Sequence, residues 1–274
     1  MRGIYLKLTL YLIFILSPVH LLSQKIIWQK IDNGLLFAEV ASPVKSDYGD
    51  SKITLLKIDP KYYDFRLISA KEKHEGNKTV KEWVNSKGLI AGINAGLFQG
   101  DDKTNVGYMK NFSFVNNGHL NKNNTITAFN RKDTTVPEIQ IIDLQCQNWN
   151  ELKDKYNSFS QCIRMIDCNQ NSTWSQQPDI FSMAVIAMDK HGSALFIFTH
   201  SPYSVHNFID ILKLLPLDIY NAMYLEGSSP ASFYLNYKGT EVERSGGFDF
   251  DQSGSYEKGV ASAVPNIIGI ARKK

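Results

Sequence analysis

Two short segments of the sequence carry side chains suited to chemistry at the end of a strand. The apolar run 89–93 continues into Asn94-Ala95-Gly96-Leu97-Phe98, where an amide side chain and an unobstructed backbone could bind a polar ligand. Farther along, Tyr224-Leu225 leads into Glu226-Gly227-Ser228-Ser229, a carboxylate followed by small residues that leave room for a substrate. Burial there would raise the pKa of Glu226. The alternative is that neither segment has a functional role, with a strand-to-turn transition at Asn94 and a solvated Glu226 in a β-turn.

Three polar residues around a helix start form a third group. His200, Ser201 and His206 fall within Thr199–His206, and histidines in this position could transfer protons or bind an anion at the helix N-terminus. The competing interpretation is that they only cap and cover the helix.

An arginine lies inside the apolar run 162–166. If that run is a strand, the guanidinium of Arg164 needs a partner, which is either a phosphate-containing ligand or an internal salt bridge. The sequence leaves both open.

The cysteine pattern does not select one arrangement. Cys146, Cys162 and Cys168 allow a Cys162–Cys168 bridge that closes a short loop, or three buried thiols. Neither a Cys-x-x-Cys nor a His-x-x-x-His pattern is present, so zinc is not predicted.

One acidic stretch copies the start of a calcium loop. It reads Asp249-x-Asp251-x-Ser253-Gly254, but Val260 stands where the bidentate glutamate of such a loop is expected. We therefore predict no metal and no cofactor, with calcium as the one ion left open.

The elements that must position these residues are mainly short strands. Alternating or β-branched runs predict strands at 52–58, 63–69, 138–143, 182–188, 194–199, 222–225, 232–235 and 266–270. The turn residues 189–192 make 182–199 a hairpin, and the glycine-rich stretch 245–259 predicts a surface loop.

Helices are fewer but have clear start signals. A capping box at Thr79-x-x-Glu82 begins one helix, Asn148 begins a short one, and a third follows Ser201-Pro202 and ends at Pro216. The fold class expected is α+β, a single domain with a large mixed or antiparallel sheet and a few packed helices.

The N-terminus has the pattern of a secretory signal. Arg2 and Lys7 accompany the apolar run 8–16, Ser17-Pro18 breaks it, and Ser23 is a small residue suited to cleavage. We expect residues 1–23 to be a signal peptide and 24–274 the mature domain, exported to the periplasm or the extracellular space. The run is shorter than the roughly 20 residues that cross a bilayer, so a retained anchor is the alternative and no stable membrane span is expected.

The overall charge argues against nucleic-acid partners. Lys and Arg number 30 against 27 acidic residues, a net charge of +3 without a long basic run.

Taken together, 94–98, 225–228 and 264–270 resemble, in order and spacing, the phosphodiester glycosidase family, and the resemblance extends from about Lys52 to the C-terminus. That family usually has Asn-Gly-Gly-Phe-Phe and Leu-Asp-Gly-Gly in the first two segments. Here Ala95 and Leu97 depart from the first, and Glu226 and Ser228 from the second. The longer acid moves its oxygens by more than about 1 Å, a displacement that catalytic geometry tolerates poorly.

The resemblance implies hydrolysis of a sugar-1-phosphodiester, with a carbohydrate phosphodiester as substrate. The residues it suggests are Glu226 as the catalytic carboxylate, Arg164 and His200 in the catalytic set, and Asn94, Gly96, Phe98, Gly227, Ser228, Ser201 and His206 in substrate binding. Whether Glu226 is nucleophile or general acid/base stays open. A two-carboxylate scheme needs a partner acid, for which the candidates are Asp167, Asp189, Asp249 and Asp251.

Two other functions stay open. Glutamate in place of aspartate at position 226 and serine in place of glycine at position 228 favour a catalytically degenerate module that only binds glycans. A hydrolase of another class, such as a peptidase, would use Ser228, Ser229 or Cys162 as nucleophile. The Gly-x-Ser-x-Gly pattern of serine hydrolases is not satisfied, since Pro230 follows the second serine.

Overall fold

The structure is a computed structural model that describes residues 25–247 and 260–274. The predicted signal peptide, residues 1–23, and the acidic stretch with Asp249 and Asp251 lie outside the described residues. No helix in the described part is long and apolar enough to cross a membrane.

In chain order, the described elements are β1 (Gln29–Asp32), β2 (Leu35–Ala41), β3 (Lys52–Ile58), β4 (Tyr63–Ser69), α1 (Ala70–Lys73), α2 (Val80–Ser86), β5 (Ala91–Asn94), β6 (Met109–Asn111), β7 (Phe114–Asn117), β8 (Asn124–Arg131), β9 (Ile139–Asp143), α3 (Trp149–Leu152), β10 (Tyr156–Ile166), β11 (Phe181–Asp189), β12 (Ala194–Tyr203), α4 (Val205–Leu214), β13 (Ile219–Gly227), β14 (Ser232–Tyr237), β15 (Thr240–Ser245) and β16 (Asn266–Arg272).

The strands form two antiparallel sheets. The larger sheet has the order β1-β2-β3-β12-β11-β13-β10-β6-β7, with β8 paired to β10 and β9 paired to β8. The smaller sheet has the order β15-β14-β5-β16-β4. Strands account for 47% of the described residues and helices for 11%, so the predicted α+β class is corrected to mainly β, while the expected antiparallel sheet with a few helices is present. The helix start signals are genuine, but the helices they begin span only four to ten residues.

Several predicted elements are confirmed. The strands at 52–58 and 63–69 coincide with β3 and β4. The hairpin is β11–β12, with Asp189 accepting hydrogen bonds from the backbone N–H groups of His191 (2.9 Å) and Ser193 (2.8 Å). The Thr79–Glu82 capping box begins α2.

The core lies mainly between the two sheets. Large side chains such as Phe196 of the larger sheet and Phe233 of the smaller sheet belong to one buried cluster there. A second cluster lies under α4, whose apolar face includes Phe208 and Leu212. A third lies under α2. Each sheet therefore has one face against the other sheet and part of its outer face under a helix.

The disulfide joins Cys146 to Cys168, and Cys162 is a buried free thiol. A Cys162–Cys168 bridge is therefore wrong. Cys162 lies within the extended strand β10, and six residues of strand separate the Cα atoms by up to about 20 Å. A disulfide needs about 4.4–6.8 Å. Cys146 follows β9, whose end lies near that of β10, and its Cα is 6.5 Å from that of Cys168.

Candidate functional site

A bulge at the end of β13 positions Glu226. This strand lies between β10 and β11, and Tyr224 and Glu226 pair with the consecutive residues Val185 and Ala184. Leu225 is therefore an extra residue in β13. Such a bulge disrupts the strict alternation of side chains and re-aims them, which is common beside active sites.

Glu226 is almost completely buried. Its side chain is 7% exposed, and the carboxyl Oε1 accepts a hydrogen bond from the backbone N–H of Gly227 at 3.1 Å. Burial raises the pKa of Glu226 to about 8, and the Gly227 hydrogen bond opposes this only in part. At neutral pH the side chain is therefore mostly a neutral carboxylic acid, which can donate a proton.

The Asn94 segment lies against the strand that follows Glu226. The Asn94 side chain donates to the Pro230 carbonyl at 2.8 Å and accepts from the Ser232 backbone N–H at 2.7 Å. It is 1% exposed. Strand β5 also pairs with β14, which brings the two predicted segments together although they are more than 130 residues apart in sequence.

The residues after Asn94 pack against β10 and require a glycine. Gly96 has φ +147, and a Cβ there would lie 2.9 Å from the Asn105 Oδ1. The backbone N–H of the next residue, Leu97, lowers the pKa of the Cys162 thiol, whose sulfur is 3.6 Å from the Leu225 carbonyl oxygen. Burial raises the pKa of Cys162 to about 12. A thiol held in its neutral form is a poor nucleophile.

The small residues after Glu226 allow a neighbouring side chain to approach the backbone closely. A Cβ on Gly227 would overlap the hydroxyl oxygen of Tyr224. Ser228 has φ 54, in the left-handed region, and its N–H donates to the Ser182 carbonyl at 3.0 Å. We call the group Asn94, Gly96, Cys162, Tyr224, Glu226 and Gly227 the Glu226 site.

Arg164 is held by an internal salt bridge. Its Nη1 lies 3.0 Å from the Asp143 Oδ1 and donates to the Gln145 Oε1 at 2.8 Å. Of the two partners that the sequence left open, the structure contains the salt bridge, which lies next to the Cys146–Cys168 disulfide because the Cys168 backbone N–H also donates to Asp143.

Two of the helix-start residues, His200 and Ser201, lie in β12, and His206 lies in the first turn of α4. His200 Nδ1 is 2.8 Å from the Ser245 carbonyl oxygen, and His200 lines a cavity of about 830 Å³ whose wall does not include Glu226. The Ser201 hydroxyl accepts from the Ser51 backbone N–H at 2.8 Å. The His206 Nδ1 is 2.6 Å from the Trp174 carbonyl oxygen.

His200 nevertheless connects to the Glu226 turn through one residue. Ser182 donates its hydroxyl to the His200 carbonyl at 2.7 Å and accepts from Ser228 with its own carbonyl. This is a backbone connection, and it does not bring the imidazole ring to the carboxyl group.

Phe98 and two of the suggested partner acids, Asp167 and Asp189, have other partners than Glu226, and the other two, Asp249 and Asp251, lie outside the described residues. The Phe98 ring packs on the cluster under α2. Asp167 accepts from the N–H groups of Asn169 and Asn171, and Asp189 is 2.6 Å from the Lys57 Nζ at the other end of β11. Among residues 25–247 and 260–274, no second carboxylate affects the pKa of Glu226.

Sequence reasoning missed Tyr224 and Cys162 as members of this site. Tyr224 is two residues before Glu226, but the bulge at Leu225 lies between them, so the alternation of faces along a regular strand does not predict where the Tyr224 side chain lies. Nothing in the spacing places Cys162 beside Glu226, because that contact depends on the pairing of β10 with β13.

Comparison with known proteins identifies the family. Residues 87–271 match the model of the phosphodiester glycosidase family. The fold is similar to that of a hypothetical protein from Synechocystis, with a TM-score of 0.61 and 13% identity over 90% of this chain. This chain covers 64% of the Synechocystis protein's length.

A second similar fold is the catalytic domain of zebrafish N-acetylglucosamine-1-phosphodiester alpha-N-acetylglucosaminidase, which is auto-inhibited by its pro-peptide. The TM-score is 0.57, with 12% identity over 91% of this chain and 82% of that domain. No curated protein matches the sequence. The family match covers well over half of the chain and includes both segments of the Glu226 site, so the chain belongs to the phosphodiester glycosidase family.

Proposed function

We propose that this protein is an exported hydrolase that cleaves sugar-1-phosphodiester linkages, with Glu226 as its catalytic carboxyl group. The observation that carries the proposal is a carboxyl group that is 7% exposed, has a pKa of about 8 and lies in the region matched by the family. A raised carboxyl pKa in a buried site is the usual preparation for general acid catalysis near neutral pH.

In the proposed reaction, the bond between the sugar C1 and the phosphate oxygen breaks as the oxygen of a water molecule bonds to C1. Glu226 gives its proton to the leaving phosphate oxygen, and the water gives up a proton as the new hydroxyl forms. The products are the free sugar and a phosphate monoester, and Glu226 is reprotonated from solvent. Asn94, which bonds to the backbone of Pro230 and Ser232, and the backbone at Gly96 and Gly227 are the groups that we assign to substrate binding.

Export is supported by two features of the chain. The N-terminal segment has the charge and hydropathy pattern of a signal peptide, and the described chain contains the Cys146–Cys168 disulfide. Disulfides form and persist in oxidising compartments and are rare in the cytosol. The periplasm and the extracellular space both meet this condition.

The test is sugar release by the mature protein, starting at Gln24, from a panel of synthetic sugar-1-phosphodiesters. N-acetylglucosamine-1-phosphodiester heads the panel because the zebrafish relative's name contains that linkage. Glu226→Gln is the matched variant, since an amide keeps the shape of the side chain but cannot donate the proton. Release by the wild type and a loss of at least about 100-fold in the variant are expected. Release that is equal in the two proteins would refute the role of Glu226.

A second candidate function, a glycan-binding module without activity, is favoured by the two departures at the site. Glutamate replaces the usual aspartate, and Ser228 takes a left-handed conformation (φ 54) where the family usually has glycine. Folded protein that binds glycans from the same panel without turnover would select this alternative.

A further inference from the structure

Tyr224 is a second polar residue at the Glu226 site. The residue as a whole is 7% exposed, and its hydroxyl makes no hydrogen bond with residues 25–247 and 260–274. This hydroxyl is not among the fully buried side-chain atoms that lack a hydrogen bond in the described part of the chain. Its donor is therefore available to a ligand at the Glu226 site without first breaking a bond within the protein.

The geometry directs this hydroxyl to the end of β13. The Tyr224 ring packs against Trp174 with a centroid distance of 5.9 Å, and its hydroxyl occupies the space that a side chain at Gly227 would need. The charge of Glu226 affects the pKa of Tyr224, which places the two groups within electrostatic range of each other. Glycine at position 227 thus creates the space that the hydroxyl occupies, next to the residue that follows Glu226.

Because Arg164 pairs with Asp143, its guanidinium is already engaged by a protein carboxylate. A phosphodiester at the Glu226 site would need other donors near the reacting bond. The Tyr224 hydroxyl is such a donor, and it lacks a protein partner among the described residues.

We propose that Tyr224 is a further catalytic residue, whose hydroxyl donates a hydrogen bond to a phosphate oxygen of the substrate next to the oxygen that Glu226 protonates. This inference rests on the proposed hydrolysis of sugar-1-phosphodiesters. Burial raises the pKa of Tyr224, so the hydroxyl stays protonated and remains a donor at physiological pH. No proton leaves Tyr224 in the reaction. The hydrogen bond strengthens as negative charge collects on the leaving phosphate.

The first experiment compares Tyr224→Phe with Tyr156→Phe in the mature protein. Tyr156 is a matched control, a buried tyrosine whose hydroxyl donates to the Pro137 carbonyl at 2.9 Å and accepts from Gln140. Tyr224→Phe should lower kcat about 100-fold, as the loss of one donor to a developing anion does, with an unchanged or higher Tm. Tyr156→Phe should lower the Tm and leave kcat unchanged. Unchanged kcat in Tyr224→Phe would overturn the inference.

A binding experiment separates this inference from the proposed function. The affinities for N-acetylglucosamine 1-phosphate and free N-acetylglucosamine are measured by calorimetry in the wild type and in Tyr224→Phe. A preference for the phosphate ligand that is lost in the variant supports the role of Tyr224, even if the wild type shows no turnover and the proposed hydrolysis fails. A preference retained in the variant, or no preference in the wild type, overturns it. Equal weakening of both ligands would indicate contact with the sugar and would also overturn it.

Discussion

Replacing Glu226 by glutamine should make the protein more stable at alkaline pH while it removes catalysis. The native state binds the proton of Glu226 more tightly than the unfolded chain does, because burial raises the pKa from the ordinary 4.5 to about 8. This stabilisation is fully present below pH 4.5. It falls as the pH rises from 4.5 to about 8. Over that range the Glu226 carboxyl group is ionised in the unfolded chain, whereas in the native state it stays protonated.

The magnitude follows from the pKa values. Each pH unit within this window removes about 1.4 kcal/mol, so the rise from 4.5 to about 8 corresponds to at most about 5 kcal/mol. Glutamine does not titrate. The stability of Glu226→Gln relative to the wild type should therefore increase from pH 5 to pH 8 and then remain constant. Cys162 and Tyr224, the titratable groups that face Glu226, have raised pKa values and stay neutral throughout this range.

The assay is urea unfolding of both proteins at pH 5, 6, 7, 8 and 9, with the difference in unfolding free energy plotted against pH. Taking the difference cancels all groups that titrate equally in the two proteins. Glu82→Gln is the control. The Glu82 pKa is lowered by hydrogen bonds from Thr79, so its effect on stability should be constant across this pH range. Parallel curves for Glu226→Gln and the wild type would refute the claim that Glu226 is buried in its neutral form.

Three further predictions concern activity, backbone geometry and the disulfide. If Glu226 is the general acid, kcat/KM for the phosphodiester should be level below about pH 8 and fall tenfold per pH unit above it, and a profile that rises through pH 8 would instead show a base. Gly96→Ala should reduce the unfolding free energy by at least about 2 kcal/mol, measured in urea, because it adds a steric clash to a strained φ of +147. Gly239→Ala, at φ +81 with open space around it, should lose less unfolding free energy. Equal losses in the two variants would show that a steric clash at position 96 adds nothing. Removing the disulfide with Cys146→Ser and Cys168→Ser should cost about 3 kcal/mol for a sequence separation of 22, and an unchanged urea midpoint would show that the bridge does not constrain the unfolded chain.

The fold was predictable where local patterns were clear. Strands β3 and β4 have apolar or alternating residues with simple boundaries, and the β11–β12 hairpin has unambiguous turn residues. The expected antiparallel sheet with a few helices is confirmed, but the share of strand was underestimated, because most of β10 does not have a local strand pattern. Ser158, Ser160 and Gln161 interrupt the apolar pattern of β10, yet all three are buried, because hydrogen bonds from neighbouring strands and loops satisfy them. Such pairing cannot be seen in a local window.

For the candidate site too, local sequence predicts one part and the tertiary structure decides the other. The sequence by itself selected Asn94 and Glu226 as candidates, because residue type and position at a strand end are local properties that suit an amide and an acid to binding and catalysis. Only the tertiary structure decided which other groups lie near them. It pairs Arg164 with Asp143, places the His200 ring on a separate cavity, and puts the Tyr224 hydroxyl against Gly227. The pKa of Glu226 was decided in the same way, since desolvation depends on what the rest of the chain packs around a carboxyl group.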